Sequence, residues 1–313
     1  MTGFILRRLL ATIPVLLMVA VLVFLMLRLT PGDPAAILAG DSASPAQIDA
    51  IRSQLGLDQP ILAQFGIWVG NLLRGDLGRS FYFRADVTTL IGQRLEPTLS
   101  LALLTMAITL LVAIPLGTIA AYRQGSLTDR LVMGFAVMGF SVPVFVIGYA
   151  LIYLFAVELK WLPVQGYNAI AEGLWPWLER LILPSVSLSV IYIALIARIT
   201  RTSVLEVLGQ DHVRTARAKG LSRRAVLIHH ALRNAAIPIV TVVGLGVGLL
   251  IGGVVVTESV FNIPGLGRLT VDAVLSRDFP TIQAIVLMFS LVYVVINLLV
   301  DLSYLIFDPR IRY

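Results

Sequence analysis

RTSVLEVLGQDHVRTARAKGLSRRAVLIHHALRNAAIP, residues Arg201–Pro238, is the only long polar insert after the first hundred residues. It lies between two apolar runs and carries Arg201, Arg214, Arg217, Lys219, Arg223, Arg224 and Arg233. Positive charge of this density beside membrane spans marks a cytoplasmic loop. Inside it, Val204, Leu205 and Leu208, then Val213, Ala216 and Leu221, recur at helical spacing, with Gly220 as a natural stop. Ala216, Ala218 and Gly220 leave room for another surface to come close. A solvated basic loop near anionic headgroups would explain the charge alone. The ordered helix–Gly–helix pattern is more than such a loop needs and points to a docking element.

Working outward, the 313-residue chain is 58% hydrophobic and only 13% charged, with a mean hydropathy of +0.91. Soluble domains carry about 25% charged residues. Several apolar runs reach the roughly 18–20 residues that a helix needs to cross a bilayer. They are continuous rather than alternating, which predicts an all-α integral membrane protein and not a barrel. The net charge of +6 would suggest nucleic acid in a soluble protein, but here the basic residues flank the apolar runs. The chain has no cysteine, so disulfides, thiolate metal sites and cysteine nucleophiles are excluded.

Six spans are expected, near 9–27, 99–121, 131–157, 181–200, 237–257 and 281–307. The first reads as an uncleaved span, because the run is long for a signal peptide and no small-x-small site follows it. Residues 30–97 form a polar insert with a capped helix from Ser44-Pro45-Ala46-Gln47 to Gly56. A second, amphipathic helix is expected within Asp58–Gly75, with Ile61, Leu62, Phe65, Trp68, Val69 and Leu72 on one side. The third span is interrupted at Ser141-Val142-Pro143, where proline removes a helix hydrogen bond. That is either a packing kink or a flexible wall of a substrate path. The loop after it holds Trp161, Tyr167, Trp175 and Trp177, as in an interfacial aromatic belt. Gly244, Gly248 and Gly252 in the fifth span form a face that invites a close helix partner. Assigning alternate loops to the inside puts thirteen basic residues there against four in the short outer loops. Both chain ends are then cytoplasmic.

Catalytic motifs are lacking. No phosphate-binding Gly-x-x-x-x-Gly-Lys-Ser/Thr or zinc-type His-Glu-x-x-His occurs. His229 and His230 are adjacent, so on a helix they point about 100° apart. Gly139-Phe140-Ser141-Val142-Pro143 lacks the second glycine of a serine-hydrolase elbow. Arg198 and Asp301 lie near cytoplasmic ends, where snorkelling explains them. No ionisable residue stands out at mid-membrane, where a proton- or ion-driven carrier usually needs one.

DHVRTARAKGL (211–221) followed by HALRNAAIP (230–238) resembles the cytoplasmic loop of ABC importer permeases of the dipeptide/oligopeptide/nickel family. The wider superfamily has Glu-Ala-Ala, three residues, Gly, nine residues, then Ile-x-Leu-Pro. Here Gly220 and Ala216 match, while Arg214, Thr215 and His230-Ala231-Leu232-Arg233 depart from that pattern in the manner of the peptide branch. PGDP (31–34), LGLDQP (55–60), GDLGRS (75–80), FNIPGLGRL (261–269) and RDFP (277–280) resemble the same family. The resemblance implies a type I ABC importer permease fold. It divides the chain at 97/98 into a first span plus extracytoplasmic insert and a five-span core. It implies a coupling helix at His212, Val213, Arg214, Thr215, Ala216, Arg217, Ala218, Lys219 and Gly220, seated in an ATPase subunit. Glu258, Phe261, Asn262, Pro264, Gly265, Gly267 and Asp278 would meet a binding protein at the outer mouth, Gly244, Gly248 and Gly252 would pack on a partner permease, and Ser141 with Pro143 would form a gate or kink. The implied partners are a second permease, two ATP-binding subunits with their ATP and Mg2+, an external peptide-binding protein and membrane lipid. No cofactor of this chain, catalytic role or nucleic acid is implied. The expected cargo is di- or oligopeptide. A nickel-chelate or glutathione permease, a self-sufficient carrier or channel, and an intramembrane hydrolase using Ser141 stay open as alternatives.

Overall fold

The computed structural model describes residues 2–29, 35–36, 44–54 and 56–307. The PGDP motif, Leu55 and the terminal DPRIRY lie outside the described residues. The described residues are helical, with no strand and one isolated antiparallel bridge between Arg79 and Asp86. Four helices are long and apolar enough to cross a membrane. In the order met they are α4 (Val87–Tyr122), α7 (Leu174–Leu208), α9 (Ala236–Val260) and α11 (Phe279–Phe307). A bent pair, α5 (Leu127–Ser141) and α6 (Val144–Leu151, continued by the π-helical Ile152–Glu158), makes a fifth if counted as one span. Helix α1 (Thr2–Leu29) has a shorter apolar stretch, Leu10–Met26. Shorter helices include α2 (Pro45–Gln54), α3 (Ile61–Leu73), α8 (Asp211–Ala218) and α10 (Leu266–Leu275).

The chain forms two compact units, described in turn. One comprises residues 1–6, 95–268 and 293–313. Its axis is α7: 61% of the apolar window of that helix is buried, against 6% for α11. Lipid offers apolar side chains as good a home as another helix does, so packing in a membrane is won by close van der Waals fit between small residues. That is how α7 is surrounded. A Cβ placed on Gly117 of α4 would come 2.5 Å from the Ala197 carbonyl oxygen, and one on Gly253 of α9 would come 2.8 Å from Leu188. Leu188, Tyr192, Leu250, Val254, Phe261 and Ile263 share one core cluster, and Ala113, Ile193, Ile196, Ala197 and Val242 share another.

The expected kink in the third span is a break with a 103° bend. Val142 has φ −96°, ψ 124° and Pro143 φ −59°, ψ 140°, so two successive residues are extended. Proline pushes its predecessor out of the helical region, and here it also restarts the chain as the N-cap of α6. Beyond α6, the aromatic residues divide. Trp161 and Trp175 are exposed, while Tyr167 and Trp177 are turned inward. Tyr167 donates to Glu96 at 3.0 Å, and Trp177 Nε1 donates to Ser100 at 3.1 Å. Burial pushes the Tyr167 phenol above its ordinary pKa.

The second unit comprises residues 7–94 and 269–292. Phe24 of α1 meets Phe65 edge-on at 5.1 Å and lies 5.7 Å from Trp68, so two aromatic residues of α3 dock on α1. Gln283 of α11 donates to the Val23 carbonyl at 2.9 Å. That bond brings the start of α11 onto the same helix.

Candidate functional site

The basic loop folds as its pattern predicts, with α8 spanning Asp211–Ala218. Val213 and Ala216 point inward and join Val204, Val207, Val226, Ala231 and Ile239 in an apolar cluster. His212, Arg214, Thr215, Arg217, Ala218, Lys219 and Gly220 are exposed. Ala216 is thus spent on the chain's own packing, and Ala218 is the small helical residue left on the outer face. Gly220 closes α8. Its φ is +80°, Gly220 N bonds the Arg217 carbonyl at 3.0 Å, and Leu221 N bonds the Ala216 carbonyl at 3.3 Å. This is the glycine C-terminal turn that captures orphan helix carbonyls. A cavity of about 650 Å³ opens beside it, lined by Tyr122, Leu208, Arg217, Leu221, Arg223, Val226 and Leu227. His229 and His230 sit in the following π-helical turn, Val226–Leu232.

The approach to this loop holds an ion pair that sequence reasoning missed. Arg201, near the end of α7, makes a two-pronged contact with Asp129 of α5, at 2.5 and 2.7 Å. Gly125 N adds a 2.9 Å bond to the same carboxylate. The signal was the Ser126-x-x-Asp129 capping pattern. The carboxylate is 6% exposed, so removing it strands a half-buried guanidinium. Asp129→Ala is expected to cost roughly 3 kcal/mol, read as a lowered unfolding midpoint of the purified complex. An unchanged midpoint would show that solvent replaces the pair.

The end of α9 and the segment after it hold two buried carboxylates. Glu258 is wholly buried. It accepts from the Thr98 hydroxyl at 2.6 Å and from Arg268 N at 3.0 Å. Thr98 in turn accepts from Leu266 N at 2.8 Å. The carboxylate therefore sits at the start of α10, where unpaired amides and the helix dipole favour negative charge. Glycine is required beside it. A Cβ at Gly265 would overlap the carboxylate, and one at Gly267 would come 2.6 Å from the Val255 Cα. Asn262, at φ +52°, accepts a bond from Arg268. The second carboxylate, Asp278, is 1% exposed. It accepts from Ser80 at 2.5 Å, Thr281 at 2.6 Å and Phe81 N at 3.2 Å. That joins the GDLGRS and RDFP stretches.

The residues expected to face a binding protein therefore split. Asn262 and Pro264 are exposed, whereas Glu258, Phe261, Gly265, Gly267 and Asp278 are enclosed by their own chain. The glycine face divides too. A Cβ at Gly248 would come 2.6 Å from the Tyr293 ring, and one at Gly244 would overlap Val300, both on the chain's own α11. Only Gly252 of the three faces open space. Gly248→Leu is expected to cost about 1–3 kcal/mol by overpacking and to lower the yield of folded complex. Adding Tyr293→Ala should restore part of that yield. No rescue would place the contact in another subunit. Ser141 is exposed at the break, and its hydroxyl bonds the Val137 carbonyl at 2.9 Å.

Two family models match the chain. The one described as binding-protein-dependent transport system inner membrane component matches residues 113–313, and the one for the N-terminal part of such membrane components matches residues 1–102. The chain belongs to this family of transport permeases. The permease is 54% identical over 310 residues to a probable peptide ABC transporter permease of Sinorhizobium fredii, covering 99% of each chain. It is 49% identical over 313 residues to a putative peptide transport system permease of Brucella abortus, covering 100% of each. It is 46% identical over 313 residues to the glutathione transport system permease GsiC of Escherichia coli, again covering 100% of each. Among solved structures, the MetNI methionine ABC transporter in inward-facing conformations contains a chain matched with a TM-score of 0.54. The match covers 70% of this permease and 96% of that chain at 16% identity, a likeness of fold. The permease is thus a multi-pass protein of the bacterial inner membrane and a transport subunit, with ATP hydrolysis in separate subunits. The carrier, channel and hydrolase readings give way to this membership.

Proposed function

We propose that this permease translocates di- or oligopeptides handed over by an extracytoplasmic binding protein, alongside a second permease and two ATPases. The observation that carries the cargo is the 54% identity, over nearly the whole length, to a relative named for peptide transport. The full-length likeness to a glutathione permease supports a second reading, glutathione itself being a short peptide. Six spans with both ends inside fit the distribution of basic residues. The division at 97/98 separates the polar insert from the core. In this reading α8 is the coupling helix, and its exposed Arg214 and Arg217, with Lys219 just past its end, bond carboxylates of an ATPase groove. Asn262 and Pro264 face the binding protein, Gly252 faces the second permease, and the break at Ser141–Pro143 is the flexible wall of the path.

Uptake of a labelled dipeptide into liposomes holding the full complex, with ATP inside and binding protein outside, tests this directly. Unlabelled peptides should compete, and glutathione or a nickel chelate should not. Competition by glutathione alone would transfer the assignment to the second reading.

A further inference from the structure

Helix α3 is amphipathic in the inverted sense. It carries no charged residue in its thirteen positions and has no buried one. Its polar side chains face the protein. Gln64 accepts from Arg28 at 2.8 Å and donates to the Gln59 carbonyl at 2.7 Å, and Gln64 and Asn71 line a cavity of about 810 Å³. Phe65 and Trp68 rest on Phe24. The opposite face is apolar: Leu62, Ala63, Gly66 and Leu73 are exposed, Leu62 by 82% and Leu73 by 83%. Water is a poor neighbour for such a face, and its continuity calls for an apolar one.

The depth of α3 is set by α1. Arg28 marks the polar end of the apolar Leu10–Met26 stretch. Its guanidinium stacks over the Phe24 ring at 3.5 Å and bonds the Phe24 carbonyl at 3.0 Å. Phe24 lies four residues deeper, about 6 Å along the helix axis. Since Gln64 meets Arg28 and Phe65 meets Phe24, α3 lies across the boundary between headgroups and acyl chains. The exposed Met18 and Leu22 of α1 extend the same kind of surface into the bilayer. A helix with one apolar face at that level is the form that interfacial membrane helices take.

We propose that α3 is a membrane-surface anchor, with Leu62 and Leu73 among the acyl chains of the leaflet on Arg28's side, the outer leaflet in the topology proposed above. The occupant of this face is lipid. The inference rests on α1 being a span, and it does not depend on the cargo.

The cysteine-free chain makes the test clean. Single cysteines replace Leu62, Leu73, Leu22 or Ala46, the last exposed on the polar α2. Each carries a fluorophore in the full complex in lipid nanodiscs, with the parent chain supplying the background from partner subunits. Phospholipid with a nitroxide high on its acyl chain should quench the Leu62 and Leu73 probes several-fold more than the Ala46 probe, and aqueous iodide should do the reverse. Two results would overturn the anchor: Leu62 and Leu73 probes that behave like Ala46, or probes shielded from both quenchers, as a covering protein would make them. If the Leu22 probe also escapes lipid, the span itself fails. If Leu22 is quenched and Leu62 is not, α3 alone is misassigned.

Discussion

Glu258→Ala is expected to cost on the order of 3 kcal/mol and to disorder the turn between α9 and α10, because it removes the acceptor of two donors at once. The buried Thr98 hydroxyl and the part-buried Arg268 N both lose their acceptor. A cavity is left where the carboxylate stood, which adds to the loss. Glu258→Gln should be milder. Its carbonyl oxygen can keep the Arg268 amide, and its amide can donate to Thr98, which already accepts from Leu266 N through another lone pair. Gly265→Ala should resemble the alanine variant at Glu258, since its new methyl group competes with the carboxylate for the same space. The measurement is the unfolding midpoint of the purified complex, together with protease sensitivity of the Asn262–Arg268 segment. Wild-type midpoints in both Glu258→Ala and Gly265→Ala would show that the carboxylate does not hold α10.

The second large effect is expected at α8, the proposed coupling helix. Ala218→Trp places bulk on the exposed face of α8 without disturbing the buried Val213 and Ala216. A misfit of only about 1.4 kcal/mol at the ATPase groove would weaken docking tenfold, and a tryptophan should exceed that. Gly220 is a poorer place for this test. Nothing lies within 4 Å of a Cβ there, but its φ of +80° means that any side chain also strains the turn. Gly220→Ala is therefore the control for the turn, and Ala218→Trp is the test of docking.

Much of this was legible in the chain. Composition and continuous apolar runs gave a helical membrane protein, and the spacing of Val213, Ala216 and Gly220 gave α8 and its stop. What escaped the sequence was long-range. Glu258 follows an apolar run and reads as the start of an exposed loop; its partner Thr98 lies 160 residues earlier. Asp278 likewise depends on Ser80, 198 residues away. The glycines of α9 announced a close helix but not whose helix it was, and α11 of the same chain takes Gly244 and Gly248. At Pro143 the sequence signalled a disturbed span. Whether it bends or breaks was decided by Val142 adopting an extended backbone. Arg201 counted as a topological charge, and its pairing with Asp129 appeared only in three dimensions.

The most direct test of the account is the number of peptides taken up per ATP hydrolysed by liposomes carrying the Ala218→Trp complex. If α8 carries motion from the ATPases to the membrane, that ratio falls well below the wild-type value while the four subunits still co-purify and hydrolyse ATP. A wild-type ratio in the assembled variant would contradict the assignment of α8 as the coupling element.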